Sequence, residues 1–423
     1  MLASPPPSLP PDPPLEVPAP EAPQRKPLGP GALAAVLASL SMLGPFSIDA
    51  YLPAFPNIQA TLHATPLQVQ QSLTAYMLAF AAMVLWHGAL SDAFGRRNVI
   101  LVSLLAFLVG TIGCAAAHSV HYLWFFRVLQ GVSAGAGVVV GRAIIRDLYA
   151  DAAAARLLSM VTMIFSIAPA IAPVLGGLIV KYADWRSIFL ALALYTVGLF
   201  IFCYRRLPDT LPRDKRQPFN PRFLWRNYKA ILGSPLFHLK TGVVACNFAG
   251  LFLYITAAPV VLPTQLHLGP DQFAWLFVPA VSGIFLGALA ANRIAGRASF
   301  ARQIGWGFAF LLTAAGANVA LHVLLPPSLP WSMLPLFFYT FGMSLVAPGA
   351  TLLALDLFPH IRGTVASCQS FAVTLLGALV AGVLAPLASH SLLWLASGQL
   401  ALTMAALGLW LTARALRRKI MPQ

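Results

Sequence analysis

Long apolar runs separated by short polar segments make up most of this chain. Twelve such runs lie near residues 32–54, 69–90, 98–117, 121–147, 157–181, 186–204, 236–260, 270–292, 303–325, 331–357, 364–388 and 391–413. A helix needs about 20 apolar residues to cross roughly 30 Å of hydrocarbon, so each run predicts one membrane-spanning helix. The pattern therefore predicts an all-α membrane protein with twelve transmembrane helices.

The composition agrees with a membrane protein and argues against other classes. Hydrophobic residues make up 59% of the chain and charged residues only 9%, whereas about a quarter of the residues in soluble domains are charged. The net charge of +15 needs a long soluble segment if it is to serve nucleic-acid binding. Since no such segment exists, we expect the lipid bilayer as a partner and no nucleic acid.

Cysteine placement gives no sign of metal or disulfide chemistry. The four cysteines, Cys114, Cys203, Cys246 and Cys368, stand singly within apolar runs. Metal sites and disulfide frameworks need cysteines at paired spacings. We therefore expect no metal site and assign these thiols to packing.

The basic residues predict the orientation of the chain. Cytoplasmic loops of membrane proteins carry an excess of lysine and arginine. With twelve crossings, one set of loops and both chain ends share a side that contains Arg25, Lys26, Arg96, Arg97, Arg146, Arg156, Arg293, Arg297, Arg302, Arg362, Arg414, Arg417, Arg418, Lys419 and the basic residues between Arg205 and Lys229. Only Lys181 and Arg186 break the pattern. Both termini are predicted to be cytoplasmic, in a multi-pass protein of the inner membrane.

Two polar segments divide the chain into two predicted bundles. Residues 1–30 hold 12 of the 35 prolines and almost no large apolar side chains, so they predict a disordered tail without the pattern of a secretory signal. Residues 31–204 and 236–413 form the two six-helix bundles, 205–235 the central cytoplasmic loop and 414–423 a basic tail. Arg146–Tyr149 and Leu355–Phe358 are similar and end the fourth helix of each half, as parallel repeats in transporters require.

The loop after the second run contains the most specific motif. It includes Gly88, Asp92, Gly95, Arg96 and Arg97. A glycine turn joins the two helices, the arginines hold it in the cytoplasm, and Asp92 is placed to meet a helix N-terminus or an arginine. A positively charged turn alone would explain the arginines but not Asp92. This loop resembles the signature between helices two and three of the major facilitator superfamily, and that resemblance extends over residues 31 to about 413.

The resemblance implies that this loop is a conformational latch between the two halves. In the family, the aspartate meets the start of helix eleven, which is here near Gly363 and Thr364. Asp147 is the expected partner of Arg96. The equivalent loop of the second half has Asn292 and Arg293 and lacks the carboxylate, so we expect an asymmetric latch.

Two further motifs resemble those of drug:proton antiporters in the family. Arg127, Gln130 and Gly131 resemble the second signature, an intramembrane arginine in helix four. The fifth helix carries the antiporter-type residues Pro169, Pro173, Gly176 and Gly177, although Ala172 replaces the usual glycine before the second proline. Together with the segments 49–53, 146–149 and 184–189, these motifs resemble the bicyclomycin and chloramphenicol resistance subfamily.

Asp49 and Arg127 are the two charges clearly inside the membrane. A charge at this depth costs at least about 2.5 kcal/mol unless it is paired or hydrated. A rise of about 1.5 Å per residue places both about 8 Å from the outer boundary of the hydrocarbon. We expect the two to face a shared cavity, where Asp49 exchanges a proton and Arg127 modulates it. The alternative is that Asp49 caps the Pro53 end of the first helix. Lys240 is expected to extend to the cytoplasmic surface.

The helices that line the central cavity in the family carry mostly apolar and aromatic side chains. The candidate substrate contacts are Tyr51, Asn247, Tyr254, Tyr339, Phe341 and Met343. Such a lining favours a lipophilic ligand with few polar handles. We expect about half of these residues to contact the substrate.

The sequence thus predicts a proton-coupled secondary transporter that exports small amphipathic compounds by alternating access. It has no phosphate-binding Gly-Lys-Ser/Thr loop, serine elbow or metal-ligand cluster, so we predict no enzyme activity, no cofactor, and the proton gradient as the driving force. The resemblance implies a monomer. Two alternatives remain open: an uptake symporter or facilitator for a metabolite, and a transporter-like receptor or scaffold.

Overall fold

The computed structural model describes residues 28–420. The tail predicted over residues 1–30 therefore lies outside the described residues except at its last three positions. In the predicted basic tail, residues 421–423 and the side chains of Arg418 and Lys419 lie outside them as well.

Within residues 28–420 the chain forms helices and no strands. Twelve helical stretches are long and apolar enough to cross a membrane. Spans 1 to 12 are Pro30–Leu62, Pro66–Phe94, Arg96–Ala115, Val120–Leu148, Arg156–Tyr182, Arg186–Arg206, Pro235–Gln265, Pro270–Ile294, Phe300–Leu324, Leu334–Leu355, Pro359–Ala388 and Leu392–Arg417. The predicted fold class is confirmed, and the span boundaries differ from the predicted ones by a few residues at most ends.

Five spans are interrupted. The pieces are Pro30–Asp49, Leu52–Ala54 and Phe55–Leu62 in span 1; Val120–Ala134 and Ala136–Leu148 in span 4; Asp151–Phe165 and Ala168–Tyr182 around span 5; Pro270–Gln272 and Ala274–Ile294 in span 8; and Pro359–Ile361, Arg362–Leu379, Val380–Leu384 and Ala385–Ala388 in span 11. The last helix, Leu392–Ile420, extends span 12. Span 5 is interrupted just before Pro169, which lies in the first turn of its second piece, because proline supplies no backbone donor.

The spans pack as two groups of six. In the first half, span 2 packs on span 4, and span 3 on spans 4 and 6; in the second, span 7 packs on span 12, and span 10 on spans 8 and 9. Spans 2 and 11 join the halves, as do the second piece of span 5 with span 8, and Leu52–Ala54 with span 7. Because twelve spans return the chain to its starting side, both described ends lie at one face. We call it the basic face and the other the opposite face.

The central segment is more ordered than a loop. It contains a helix at Pro221–Leu232 and a single 3₁₀ turn at Arg213–Lys215. Tyr228 and Ile231 are buried with Phe237, Val365 and Cys368 in a small apolar cluster. The Tyr228 hydroxyl donates to the Leu85 carbonyl oxygen, and burial raises the pKa of Tyr228 to about 12, so this donor stays protonated even in alkaline solution near pH 10. The linker helix thus connects span 2 of the first half with spans 7 and 11 of the second.

Candidate functional site

Arg127 lies in span 4, fully buried between two tyrosine rings. Its guanidinium carbon is 4.7 Å from the ring centre of Tyr51 and 4.5 Å from that of Tyr76. Its Nη1 donates to the Ser47 carbonyl oxygen at 3.0 Å and to Gln130 Oε1 at 2.9 Å. The stacking and these bonds offset the cost of the buried charge in part, since cation–π contacts are stronger when water is excluded.

The Arg127 guanidinium also has unused donors. Its Nε and Nη2 are buried and have no partner among the described residues. Asp49 ends the first helical piece of span 1 and is 6% exposed, and its carboxyl group makes no hydrogen bond or ion pair within the described residues. Ser47, two residues before Asp49, binds Arg127, so the two charges lie at a similar level. The sequence predicts that both charges face a shared cavity. In the structure they belong to the same half, and the fully buried Arg127 side chain does not face an open cavity.

The fifth-span motif brings two backbones close to this site. A Cβ atom at Gly176 would lie against the Ala50 carbonyl oxygen, directly after Asp49, and one at Gly177 against the Pro270 carbonyl oxygen of span 8. Pro173 is buried inside the same helical piece. The two glycines therefore permit a close approach of span 5 to span 1 on one side and to the second half on the other.

The predicted latch residues form a compact group at the basic face. Arg96 is 7% exposed; its Nη1 lies 2.5 Å from Asp92 Oδ1 and its Nε 3.0 Å from Asp147 Oδ2. Gly95 has φ +91°, in the region that favours glycine, which allows span 3 to begin directly after span 2. Gly88 lies beside Val139 of span 4. The structure thus brings Asp92, Arg96 and Asp147 together.

Arg97 binds a different element. Its Nη2 donates to the Tyr204 carbonyl oxygen at 2.7 Å, and its guanidinium carbon lies 5.3 Å from the Tyr204 ring centre. This side chain therefore connects the start of span 3 to the end of span 6. It supports packing within the first half.

The central linker contacts this latch group, and the sequence did not predict that contact. Asp209 Oδ1 accepts a hydrogen bond from the Arg96 backbone N–H at 3.1 Å, and Thr210 Oγ1 donates to Asp147 Oδ2 at 2.8 Å. Arg216 pairs with Asp209 at 2.7 Å. The family resemblance implied that Asp92 meets the start of span 11, yet its described ion-pair partner is Arg96. The only sequence signal was a carboxylate and a hydroxyl next to Pro208.

The corresponding region of the second half is more open. Asp356 pairs with Arg362 at 2.8 Å, but both side chains are more than half exposed. Gly296 has φ +77°, and a Cβ there would meet open space. The buried carboxylate–arginine group is therefore specific to the first half among the described residues.

Four of the six predicted substrate contacts are buried in this conformation. Tyr51 shares a hydrogen bond of 2.8 Å with Ser72. The Tyr254 hydroxyl accepts from Asn318 at 2.7 Å, and the Tyr339 hydroxyl donates to the Asn247 carbonyl oxygen at 3.1 Å. None of these four residues is more than 1% exposed, so a ligand reaches them only if the spans move.

The other two predicted contacts are half-buried. The Phe341 ring packs on Phe310 of span 9 at 4.9 Å between ring centres, so it faces a neighbouring helix. Met343 packs against the apolar core. Substrate contact by all six residues stays a prediction.

The interior of the second half contains a polar network that the sequence analysis missed. Asn318 Nδ2 donates to Tyr254 and also to Gln399 Oε1 at 3.1 Å, while Gln399 Nε2 donates to the Gly250 carbonyl oxygen at 3.3 Å. The Asn247 amide is buried without a described partner. Polar residues scattered over spans 7, 9 and 12 gave no common spacing that would reveal their meeting.

The position of Lys240 differs from the prediction that its side chain extends to the cytoplasmic surface. Its ammonium group does not extend to the surface: the residue is 6% exposed, and its Nζ donates to the Leu353 carbonyl oxygen at 2.7 Å. Leu353 lies in the last turn of span 10, where backbone carbonyls lack helical partners and attract cations. Lys240 therefore connects spans 7 and 10.

Comparison with known proteins agrees with this architecture. The family model described as Major Facilitator Superfamily matches residues 37–382. The chain is 29% identical over 360 residues to the bicyclomycin resistance protein homolog of Haemophilus influenzae, covering 82% of this chain and 88% of the relative. It is 29% identical over 379 residues to the multidrug resistance protein D of Escherichia coli, covering 88% and 92%.

A solved structure shows the same fold. A bacterial homolog of the human lysosomal transporter Spinster matches with a TM-score of 0.68 at 18% identity, covering 91% of this chain and 96% of that one. The twelve spans, the signature loop and the extent of the family match lead to one conclusion. The chain is a multi-pass membrane transporter that belongs to the major facilitator superfamily.

Proposed function

We propose that this protein exports small amphipathic compounds in exchange for protons. Relatives named for bicyclomycin and multidrug resistance support the substrate class. The observation that carries the proposal is Asp49, a buried carboxyl group without a described partner, at the level of an arginine that has two unused donors. The protein would use the proton gradient and no cofactor.

Proton exchange follows from the alternatives open to Asp49. A carboxylate without a partner is costly at membrane depth, whereas a neutral acid is cheaper to bury. In the present arrangement Ser47 and Gln130 bind Arg127. A movement of span 1 relative to span 4 that brings the unused Arg127 donors to Asp49 would stabilise the carboxylate and release its proton. Substrate that enters between the halves would favour one of the two arrangements.

The direction of export depends on orientation. The excess of lysine and arginine at the basic face supports a cytoplasmic location for that face and for both chain ends, in the inner membrane. The protein would act as a monomer, since each of its two halves supplies one side of the central cavity.

Everted membrane vesicles test this function with the variant Asp49→Asn. In the parent protein, substrate addition should collapse a preformed proton gradient and substrate should accumulate against its own gradient. The variant should lose both effects but keep downhill exchange, because it retains the shape of the site without a titratable group. The control is Asp184→Asn, whose carboxylate is half exposed and pairs with Arg186. Uphill accumulation retained by Asp49→Asn would contradict the proposal.

The same vesicles distinguish the other functions. An uptake symporter would carry protons in the same direction as the substrate, so the pH change inside the vesicles would be opposite to that of an antiporter. A facilitator would move substrate downhill without any proton movement. A receptor or scaffold would bind substrate without flux.

A further inference from the structure

Span 11 contains a π-helical segment, Val380–Leu384, near the opposite face. The Ala385 N–H donates to the Val380 carbonyl oxygen, one residue further back than in an α-helix. The Ala381 carbonyl oxygen therefore loses the donor that an α-helix would supply. The next carbonyl, Gly382, would take the N–H of residue 386, but that residue is proline and has none. Two consecutive carbonyl oxygens of span 11 are thus left without these helical donors.

Two consecutive glutamines of span 2 donate to these oxygens. Gln70 Nε2 donates to the Ala381 carbonyl oxygen at 3.0 Å and to the Thr256 carbonyl oxygen of span 7 at 3.3 Å. Gln71 Nε2 donates to the Gly382 carbonyl oxygen at 3.0 Å. Span 2 belongs to the first half, and spans 7 and 11 belong to the second. These bonds therefore join the two halves, and we call this group the glutamine seam.

The glutamine seam lies where the halves are in close contact. Leu52–Ala54 packs between span 7 and the Pro270–Gln272 turn of span 8. On the same face, Lys181 of span 5 pairs with Asp271 at 2.8 Å, which accounts for one of the two basic residues that break the charge pattern. Alternating access requires that the halves separate on each face in turn. Separation at the opposite face must break the glutamine seam.

We propose that Gln70 and Gln71 are positioning residues of the transport cycle, which stabilise the state closed at the opposite face by donating to the carbonyls that the π-helical segment and Pro386 leave without helical donors. The bonds suit a reversible closure because each donor amide can turn to water when the halves part, while unpaired carbonyls at membrane depth are costly. π-Helical segments often occur at functional sites. This inference needs transport by alternating access and does not depend on proton coupling or on substrate identity.

The test measures opening without substrate or a proton gradient. Gln70→Met and Gln71→Met keep side-chain length and remove the donors. The reporter is Ala54→Cys, a fully buried position in the segment packed between the halves, in a chain whose four native cysteines are replaced by alanine. When opening is fast relative to labelling, the maleimide-labelling rate follows the open population. The matched control is Gln59→Met, at the same face, whose side chain makes no hydrogen bond within the described residues.

The double variant should label about tenfold faster than the parent, the factor that corresponds to about 1.4 kcal/mol, and Gln59→Met should match the parent. A second reporter, native Cys368 kept as the only cysteine, is buried at the basic face and should not label faster. Equal rates at Ala54→Cys in the parent and the double variant, or an equal increase at both reporters, would overturn the proposal. If the double variant does not fold, Gln71→Met alone should raise the rate about threefold, and no increase is then decisive against it.

Discussion

Arg127 donates to the carbonyl oxygen of Ser47 at 3.0 Å, two residues before Asp49, and no ion pair joins Arg127 to Asp49 in the part of the chain that the structure describes. The arginine is thus bound to the backbone of the helix that carries the acid. A small movement along span 1 changes the distance from the guanidinium to the carboxyl group. In this arrangement Arg127 contacts two aromatic rings and two carbonyl oxygens, and the proposed proton exchange requires a second arrangement in which its unused donors reach Asp49.

The planar shape of Arg127 should matter as much as its charge. Arg127→Lys keeps the charge but loses the stacking on Tyr51 and Tyr76 and one of its two hydrogen bonds. We expect a loss of about 2–3 kcal/mol in the free energy of unfolding, measured by denaturation in detergent. The control Arg186→Lys, which stacks on Trp185 at 4.3 Å but is partly exposed, should lose much less. Equal losses would contradict this account of the site.

Gly176 and Gly177 should not tolerate a methyl group. A Cβ would meet the Ala50 carbonyl oxygen in one case and the Pro270 carbonyl oxygen in the other, and overpacking typically costs about 1–3 kcal/mol. Gly176→Ala and Gly177→Ala should lower the transport rate about tenfold or more. Gly198→Ala, where a Cβ meets open space, should be neutral. The measurement is the transport rate of each variant in proteoliposomes, normalised to the amount of folded protein.

The carboxylate of Asp147 should contribute far more to the free energy of unfolding than the carboxylate of Asp356, its counterpart in the second half. Asp147→Asn leaves the buried Arg96 side chain with Asp92 as its one described ion-pair partner and also weakens the Thr210 contact, so we expect a loss of about 2 kcal/mol or more in the free energy of unfolding. Asp356→Asn breaks a pair whose two side chains are more than half exposed, and it should change stability by less than about 0.5 kcal/mol. Thermal unfolding of the two variants compares them directly. Similar losses would refute the asymmetry of the latch group.

The ion pair between Lys181 and Asp271 should bias the opposite face toward closure. Lys181→Asp replaces an exposed ion pair with two like charges, so the labelling rate of Ala54→Cys should rise about fourfold at low ionic strength. The charge swap Lys181→Asp with Asp271→Lys should restore the parent rate. High salt should abolish the difference because it screens exposed charges. A swap that labels as fast as the single variant would argue against a direct pair.

The membrane spans could be predicted because each depends on local hydrophobicity alone. The predicted partner of Arg96 also agreed with the structure, since Asp147 and Arg96 lie at adjacent helix ends in the same half. The glutamine seam could not be predicted from the sequence. Gln70 and Gln71 have no distinctive sequence pattern, and their acceptors are carbonyl oxygens of span 11 in the other half. Lys240 was misjudged for a related reason, because its acceptor, Leu353, lies 113 residues further along the chain.

The sequence by itself determined the twelve spans, the two halves, the signature loop and the two membrane charges, since the cost of polar groups in hydrocarbon acts on each segment separately. Tertiary structure alone decided what those charges contact. It placed Ser47 and two tyrosines around Arg127, left Asp49 without a described partner, and brought the linker onto the latch group. Hydrogen bonds act only over a few ångströms, so their partners depend on how distant segments pack, and a one-dimensional pattern does not record that packing.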